Sequence, residues 1–208
     1  MLEYIKKSSK ERESQMNMEI FRLINNLENK NTFLDNAMLF FSEYMLYVFA
    51  GMIALVFILG VIKKDKKVRR VAINTFLLTV INIILAYFIG SIYYVDRPFV
   101  HNKVNLLYPH VEDASFPSDH ATVTMSIALG INKYNKFLGI VLTILSIIVG
   151  FSRVYVGHHS PADVVGTYII VFIMSYIYNA KLSNKINKIY DIIENMVATK
   201  LGINWLYK

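Results

Sequence analysis

Five stretches of this sequence carry no charged side chain, and they constrain the fold more than any other feature. They cover residues 45–62, 71–95, 121–132, 137–152 and 164–180. A helix that crosses a bilayer needs about 20 apolar residues. The first two stretches are long enough, and the last two become so once their flanks are included. The third crosses only if its helix runs from Ser118 to about Tyr134. We therefore predict an all-α, polytopic membrane helical bundle with five transmembrane helices.

The composition narrows the kinds of site that the chain can carry. Of the 208 residues, 55% are hydrophobic, which favours one membrane-embedded domain over the whole of 1–208. The sequence has no cysteine, so disulfides and thiolate metal sites are excluded. The formal net charge is +7, but many of the basic residues lie in loops between apolar stretches. This placement indicates a membrane setting and argues against nucleic-acid binding.

The distribution of basic residues predicts the orientation in the membrane. Residues 63–70 hold six basic residues against one acid, residues 133–136 hold two against none, and residues 181–208 hold five against two. Segments rich in Lys and Arg face the cytoplasm. The loop 96–117 holds two basic and three acidic residues, so we expect it outside. The first 35 residues hold six of each sign, and with five spans they would begin outside.

Both ends of the chain are expected to form amphipathic helices. Residues 18–27 have apolar side chains at helical spacing, which predicts a helix on the membrane surface that anchors or packs. It belongs to an N-terminal segment, 1–35, that is too polar for a cleavable signal peptide. The tail 181–208 is expected to be cytoplasmic, with a similar stretch at 182–205. Within the second span, Asn82 is expected to form a hydrogen bond to another helix.

One polar cluster lies between the last two apolar stretches, where hydrocarbon gives way to water. Ser160 and Pro161 are typical of an N-cap and a first helical position, and Asp163 falls in the first turn. Asp163 can then reach back to the ring of His159, orient one nitrogen and leave the other as a base or nucleophile. Arg153 offers a positive fork suited to phosphate. Ser160 and Asp163 alone also fit a capping box with a purely structural role.

A second polar cluster precedes the third apolar stretch. Pro117 and Ser118 are typical of a helix start, whose free N–H groups attract anions, and His120 falls in the same turn. Taken singly, Ser118 fits a plain cap and His120 an interfacial histidine. The predicted topology puts both clusters, and Arg97, on the same membrane face. This face then holds two arginines, a helix N-terminus and two histidines. Such a set suits phosphoryl transfer through a covalent enzyme intermediate, and the reaction would demand no metal.

These motifs resemble the signature of the type 2 phosphatidic acid phosphatase superfamily. Its second part, Pro-Ser-x-His, matches residues 117–120, and its third, Ser-Arg-x5-His-x3-Asp, matches residues 152–163. The first part, Lys-x6-Arg-Pro, matches at Arg97 and Pro98 but has Gly90 in place of the lysine. The runs 113–120, 150–153 and 156–159 look closest to the bacitracin-resistance branch of bacterial undecaprenyl-diphosphatases, and this similarity covers roughly residues 17–180.

The resemblance implies a lipid diphosphate phosphatase with no metal or other cofactor. His159 would attack the terminal phosphorus to form a phosphohistidine, and Asp163 would orient it. His120 would protonate the departing lipid phosphate and then activate water. The phosphate oxygens would be held by Arg97, Ser118 and Arg153, beside Pro117 and Asp119. The implied partner is a polyprenyl diphosphate lipid at the outer face of a bacterial plasma membrane, where the reaction recycles the cell-wall carrier lipid.

Two departures from the signature leave alternatives open. Lys103, His101 or a neighbouring helix could substitute for the lysine that Gly90 replaces. Asp119 stands where the family usually has glycine, and could point away to bind His110 or a backbone group.

Glu43, at the start of the first span, shares the level of both clusters. It either lines the site and positions an arginine or a water, or is an interfacial glutamate that faces water or pairs with Arg97.

Other functions also fit parts of the sequence. The same chemistry could act on phosphatidylglycerol phosphate or phosphatidic acid. A haem or metal protein could use His120, His158 and His159, although the adjacent arginines oppose a cationic metal. A transporter or structural protein could carry the pattern as a vestige. Oligomeric state is left open.

Overall fold

The computed structural model describes residues 2–202, with the side chains of residues 12, 14–200 and 202, and this part of the chain forms nine α-helices. In chain order they are α1 (Leu2–Asn25), α2 (Thr32–Glu43), α3 (Met45–Ile62), α4 (Lys66–Ile92), α5 (Pro98–His101), α6 (Asp119–Ile131), α7 (Lys136–Tyr155), α8 (Pro161–Lys181) and α9 (Ser183–Leu201). No strand occurs between residues 2 and 202, so the predicted all-α class is confirmed. Residues 203–208, and with them the end of the predicted stretch 182–205, lie outside the described residues.

Four of the described helices, α3, α4, α7 and α8, are long and apolar enough to cross a membrane. The third predicted span, α6, is shorter than expected. It has 13 residues and ends at Ile131. At 1.5 Å per residue it is about 20 Å long, against a hydrocarbon core of about 30 Å. The predicted end near Tyr134 is wrong because Asn135 caps the next helix, accepting a hydrogen bond from the Leu138 N–H.

The short helix α6 lies at the centre of the bundle. It packs against α3, α4, α7 and α8, and nine of its residues are buried. Gly130 permits a close approach to α4, since a Cβ there would lie 2.4 Å from Thr75 Oγ1. The Asn82 amide donates to Ser126 Oγ at 2.8 Å, which confirms the predicted bond between helices. Because other helices surround α6, it does not need the length of a lipid-facing span.

The main hydrophobic core joins α3, α4, α6 and α7. Its buried members are Met45, Phe49, Val56, Ala72, Ile127, Ala128, Ile131, Leu142 and Val149. The helices alternate in direction around it. The start of α3, the end of α4, the start of α6, the end of α7 and the start of α8 therefore meet at one end of the bundle. The basic segments 63–70 and 133–136 and helix α9 lie at the opposite end.

The terminal helices α1 and α9 pack on opposite ends. In α1, Phe21 is fully buried against Ala121, Val154 and Val164, while Leu23 is exposed. The predicted N-terminal helix thus packs against the bundle through a buried side chain. At the other end, α9 has exposed apolar side chains. Its Glu194 Oε1 forms an ion pair with Arg69 Nε of α4 at 2.6 Å.

Candidate active site

A tight turn between α7 and α8 brings Arg153 and His159 together. The Arg153 carbonyl accepts hydrogen bonds from the N–H groups of His158 at 3.0 Å and His159 at 3.2 Å. Gly157 has a φ of +86°, and a Cβ there would lie 2.4 Å from the Asn105 carbonyl oxygen. The turn therefore requires glycine, which tolerates this backbone conformation and leaves room for the neighbouring loop.

The start of α8 forms the expected capping box. Ser160 Oγ accepts a hydrogen bond from the Asp163 N–H at 3.3 Å, and Asp163 Oδ2 accepts one from the Ser160 N–H at 2.7 Å. The same carboxylate oxygen also accepts a hydrogen bond from Ser115 Oγ at 2.7 Å. Asp163 thus caps α8 and also binds the loop before α6 through Ser115.

Ser115 lies between Asp163 and His159. His159 Nδ1 is 2.8 Å from the Ser115 carbonyl oxygen and 3.4 Å from Ser115 Oγ. The expected direct contact between Asp163 and the ring is therefore replaced by a bridge through Ser115. The physical reason is that the carboxylate turns towards the Ser160 N–H to cap α8.

The partners of His159 define the state of its ring. Nδ1 faces a carbonyl, which only accepts, so this nitrogen carries the proton; Nε2 is 3.1 Å from Arg97 Nη1, which only donates. The residue is 2% exposed. Burial, followed by the positive charges of Arg153 and Arg97, holds the pKa of His159 well below its usual value. The ring is thus neutral, with the lone pair of Nε2 directed at a guanidinium group.

Arg97 is buried and fixed on several sides. Its Nε forms an ion pair with Asp113 Oδ1 at 2.6 Å, and its Nη1 also donates to the His158 carbonyl oxygen at 3.0 Å. Asp113 therefore compensates the charge of Arg97 in this arrangement.

Arg153 is 1% exposed and is held differently. Its Nη1 donates to Ser42 Oγ at 2.9 Å and to the Tyr108 hydroxyl at 2.6 Å. Its Nε is buried without a hydrogen-bond partner in the described part of the chain. An unpaired buried donor is costly, so this edge of the guanidinium is suited to a ligand oxygen.

Ser118 and His120 place two further free groups at the start of α6. Ser118 is the N-cap, as predicted, but its Oγ makes no capping bond and is buried with no partner between residues 2 and 202. Its N–H donates to Thr167 Oγ1 at 2.8 Å. Pro117, just before it, is buried. The half-buried His120 follows in the first helical turn. The predicted cluster of Arg97, Ser118, His120, Arg153 and His159 thus meets at one end of the bundle.

Glu43 does not join this cluster. It is exposed at the end of α2, and its side chain forms no hydrogen bond or ion pair within the described residues. Its neighbour Ser42 contacts Arg153 instead, and Arg97 pairs with Asp113.

The two residues named as substitutes for the family lysine are both exposed. Lys103 is exposed, and His101 pairs with Asp96 at 2.9 Å on the surface.

Gly90 and Asp119 line a cavity of about 410 Å³ between α4 and the loop before α6. A Cβ at position 90 would lie 3.2 Å from the Phe116 carbonyl oxygen, so this loop occupies the space where a side chain would begin. Asp119 is exposed and does not pair with His110, whose Nδ1 is 3.0 Å from the Val111 carbonyl oxygen.

The sequence interpretation missed four residues whose side chains contact Arg97, Arg153 or His159. They are Ser42, Tyr108, Asp113 and Ser115. Asp113 and Ser115 directly precede the Pro-Ser-x-His motif, but nothing in their spacing predicts a partner. Ser42 and Tyr108 carry no sequence signal, because they reach Arg153 only through the packing of α2 and the path of the loop.

The sequence pattern of the PAP2 superfamily matches residues 71–186, which is more than half of the chain. The chain belongs to the PAP2 superfamily. The resemblance noted in the motifs is thereby confirmed, and the match covers the site from Arg97 to Asp163.

Relatives of this PAP2 protein include enzymes and solved structures. Undecaprenyl-diphosphatase BcrC of Bacillus subtilis (strain 168) is 35% identical over 178 residues, covering 86% of this chain and 90% of the relative. The crystal structure of Aquifex aeolicus LpxE has a TM-score of 0.58 and 30% identity, over 78% of this chain and 93% of that chain. A PAP2 type phosphatidylglycerolphosphate phosphatase from Bacillus subtilis has a TM-score of 0.62 over 80% of this chain and 84% of its own, at 19% identity, and shares the fold.

Proposed function

We propose that this PAP2 protein is a lipid diphosphate phosphatase that hydrolyses undecaprenyl diphosphate to undecaprenyl phosphate and inorganic phosphate through a phosphohistidine. The observation that carries the proposal is the state of His159. Its Nδ1 is fixed by the Ser115 carbonyl oxygen at 2.8 Å, and its Nε2 lies 3.1 Å from Arg97. A neutral imidazole beside guanidinium groups is an oriented nucleophile at an anion site.

In the first step, the terminal phosphate displaces His159 Nε2 as the acceptor of the Arg97 Nη1 proton. The freed lone pair attacks phosphorus, and the bond from phosphorus to the bridging oxygen breaks. His120, which binds a proton once the anionic diphosphate lies beside it, donates that proton to the bridging oxygen, so undecaprenyl phosphate leaves. The free Nε of Arg153 and the free Oγ of Ser118 donate to the equatorial oxygens, where charge is spread in the transition state.

In the second step, water hydrolyses the phosphohistidine. His120, now neutral, takes a proton from the water, whose oxygen attacks phosphorus. The bond from phosphorus to Nε2 breaks and returns the electron pair to His159. The Ser115 carbonyl oxygen stabilises the Nδ1 proton throughout, and Asp163 fixes Ser115 through its hydroxyl at 2.7 Å.

The charges of the site favour chemistry without a metal ion. Two buried guanidinium groups, Arg97 and Arg153, oppose a divalent cation and supply the positive charge that phosphoryl transfer needs. We therefore expect activity in the presence of a chelator.

The relative named undecaprenyl-diphosphatase supports this lipid as substrate, since it is 35% identical over most of both chains. A site at the end of the bundle suits a long prenyl chain, which can remain in the bilayer while its diphosphate reaches the arginines. The basic segments lie at the opposite end, which supports a site on the extracytoplasmic face of a bacterial plasma membrane. There the reaction would recycle the carrier lipid of the cell wall.

Phosphatidylglycerol phosphate is the second candidate substrate, because a phosphatase named for this lipid shares the fold. Arg97, Arg153 and Ser118 would bind the terminal phosphate, which both lipids carry.

Phosphate release from purified lipids tests the proposal. The purified protein in detergent is given undecaprenyl diphosphate, phosphatidylglycerol phosphate and phosphatidic acid in separate assays, with a protein-free control for each. We expect the highest kcat/KM with undecaprenyl diphosphate. A higher value with either other lipid would overturn the substrate assignment and leave the chemistry standing.

A further inference from the structure

The two arginines of the site differ in how their charge is balanced. Arg97 pairs with the Asp113 carboxylate at 2.6 Å. Arg153 is 1% exposed, and within the described part of the chain no carboxylate lies within ion-pair distance of it. Its only hydrogen-bond partners there are Ser42 and Tyr108, which are neutral. Arg153 is therefore a buried cation that keeps its full charge for a ligand.

The partners of Arg153 form a closed triangle of hydrogen bonds. Nη1 lies 2.9 Å from Ser42 Oγ and 2.6 Å from the Tyr108 hydroxyl, and the two hydroxyl oxygens are 2.8 Å apart. Both protons of Nη1 are thus directed at hydroxyl groups, which fixes the plane of the guanidinium. Protein hydrogen bonds in the described range reach neither Nε nor Nη2. These two nitrogens form the edge with which arginine binds two oxygens of one phosphate.

Tyr108 is itself held in place by the turn that carries the nucleophile. Its carbonyl oxygen lies 3.0 Å from His158 Nε2, and its ring packs edge-on against the His158 ring with centroids 4.4 Å apart. Ser42 is fully buried in α2. The triangle therefore links α2, the loop before α6 and the turn after α7.

We propose that Ser42 and Tyr108 are positioning residues that orient the free edge of Arg153 towards the terminal phosphate of the substrate. The inference rests on the proposed phosphatase function. Hydroxyl groups suit this task because they fix the guanidinium without neutralising it. A carboxylate in their place would compete with the phosphate for the same charge.

Removal of either hydroxyl tests the inference. Tyr108→Phe keeps the ring and the carbonyl contact to His158, and Ser42→Ala removes one oxygen. We expect each change to lower kcat/KM about tenfold or more, as for loss of a hydrogen bond to a charged group. Tyr47→Phe is the matched control, since Tyr47 is 76% exposed on α3, and it should leave activity unchanged.

A double-mutant cycle separates positioning from a general structural effect. In an Arg153→Lys background, which lacks the bidentate edge, Tyr108→Phe should cause little further loss of kcat/KM. Losses that simply multiply, or full activity of both hydroxyl variants, would overturn the inference.

Binding of inorganic phosphate distinguishes failure of this inference from failure of the proposed function. We expect phosphate to raise the Tm of the wild-type protein, and to do so less at equal concentration for Tyr108→Phe. An equal rise in both proteins would overturn the positioning role even if the lipid substrate proves correct. Absence of phosphate release by the wild type, with a smaller Tm rise in the variant, would overturn the proposed reaction and support the orientation of Arg153 towards phosphate.

Discussion

At the residue scale, the two ring nitrogens of the proposed nucleophile His159 have different partners. Nδ1 contacts the Ser115 carbonyl oxygen, while Nε2 contacts the Arg97 guanidinium. In the proposed reaction, the substrate phosphate replaces Nε2 as the partner of Arg97. The carboxylate of Asp163 acts on this ring through Ser115, whose hydroxyl it holds at 2.7 Å. The orientation of the His159 ring therefore depends on the loop before α6 as well as on α8.

Ser115→Ala tests this bridge. The substitution removes the hydroxyl bond to Asp163 but keeps the carbonyl that contacts His159, so we expect kcat to fall about tenfold, as for loss of one hydrogen bond to a charged group. Phosphate release from the lipid substrate measures it, with Ser91→Ala, on the exposed side of α4, as control. Unchanged kcat would mean that Asp163 orients the ring without Ser115.

The pH dependence of kcat/KM tests the neutral state of His159 in the free enzyme. Burial and two arginines lower its folded pKa, so the nucleophile stays unprotonated until the pH falls well below 6.5. We expect kcat/KM to fall on the acidic side only below pH 6.5. Phosphorus NMR in the same detergent measures the ionisation of the substrate, so that its contribution to the pH profile can be separated from that of the enzyme. A limb at or above 6.5 that does not follow the substrate would contradict this assignment.

The sequence was enough to predict the two helix starts that position several of the candidate site residues. Ser118 and Ser160 begin helices as expected, and this places His120 and His159 at one end of the bundle. Tyr108 and Ser115 were not predictable, because their contacts depend on the path of a loop that has no periodic pattern. Glu43 was expected beside the site, but its side chain is exposed, and the neighbouring Ser42 contacts Arg153 instead.

At the scale of elements, the central helix α6 determines how closely the others pack. The uncharged stretches predicted α3, α4, α7 and α8 because length and composition alone identify a spanning helix. The end of α6 was mispredicted, since it was placed by the length that a spanning helix needs, whereas the turn after Ile131 depends on the Asn135 cap.

A pair of glycine substitutions tests the packing of α6. Gly130→Ala would place a Cβ 2.4 Å from Thr75 Oγ1 and 2.8 Å from Thr75 Cβ, so we expect a loss of stability of about 1–3 kcal/mol. Gly51→Ala in α3 meets no atom within 4 Å and should be neutral or stabilising. Thermal unfolding in detergent compares the two, and equal effects would contradict the close contact between α4 and α6.

At the scale of the whole molecule, the two ends of the bundle differ in chemistry. One end carries the arginines and histidines of the site, and the other carries the basic segment 63–70 and helix α9. The charge asymmetry predicts that the site faces away from the cytoplasm.

Labelling of single cysteines tests this orientation, since the chain has no cysteine of its own. Lys103→Cys lies on the exposed loop at the site end, and Lys63→Cys lies at the basic end. In intact bacteria, a membrane-impermeant maleimide should modify the cysteine at position 103 and spare the one at position 63. The reverse pattern would place the site in the cytoplasm and exclude a role in carrier recycling outside the cell.

The most direct test of the phosphohistidine mechanism is phosphate release from undecaprenyl diphosphate in excess EDTA. It compares the wild type with His159→Ala and with His101→Ala, a control on the exposed surface. We expect release to persist in the wild type and the control and to vanish in His159→Ala. Release that EDTA abolishes and added metal restores, or that survives in His159→Ala, would contradict a metal-independent reaction at this histidine.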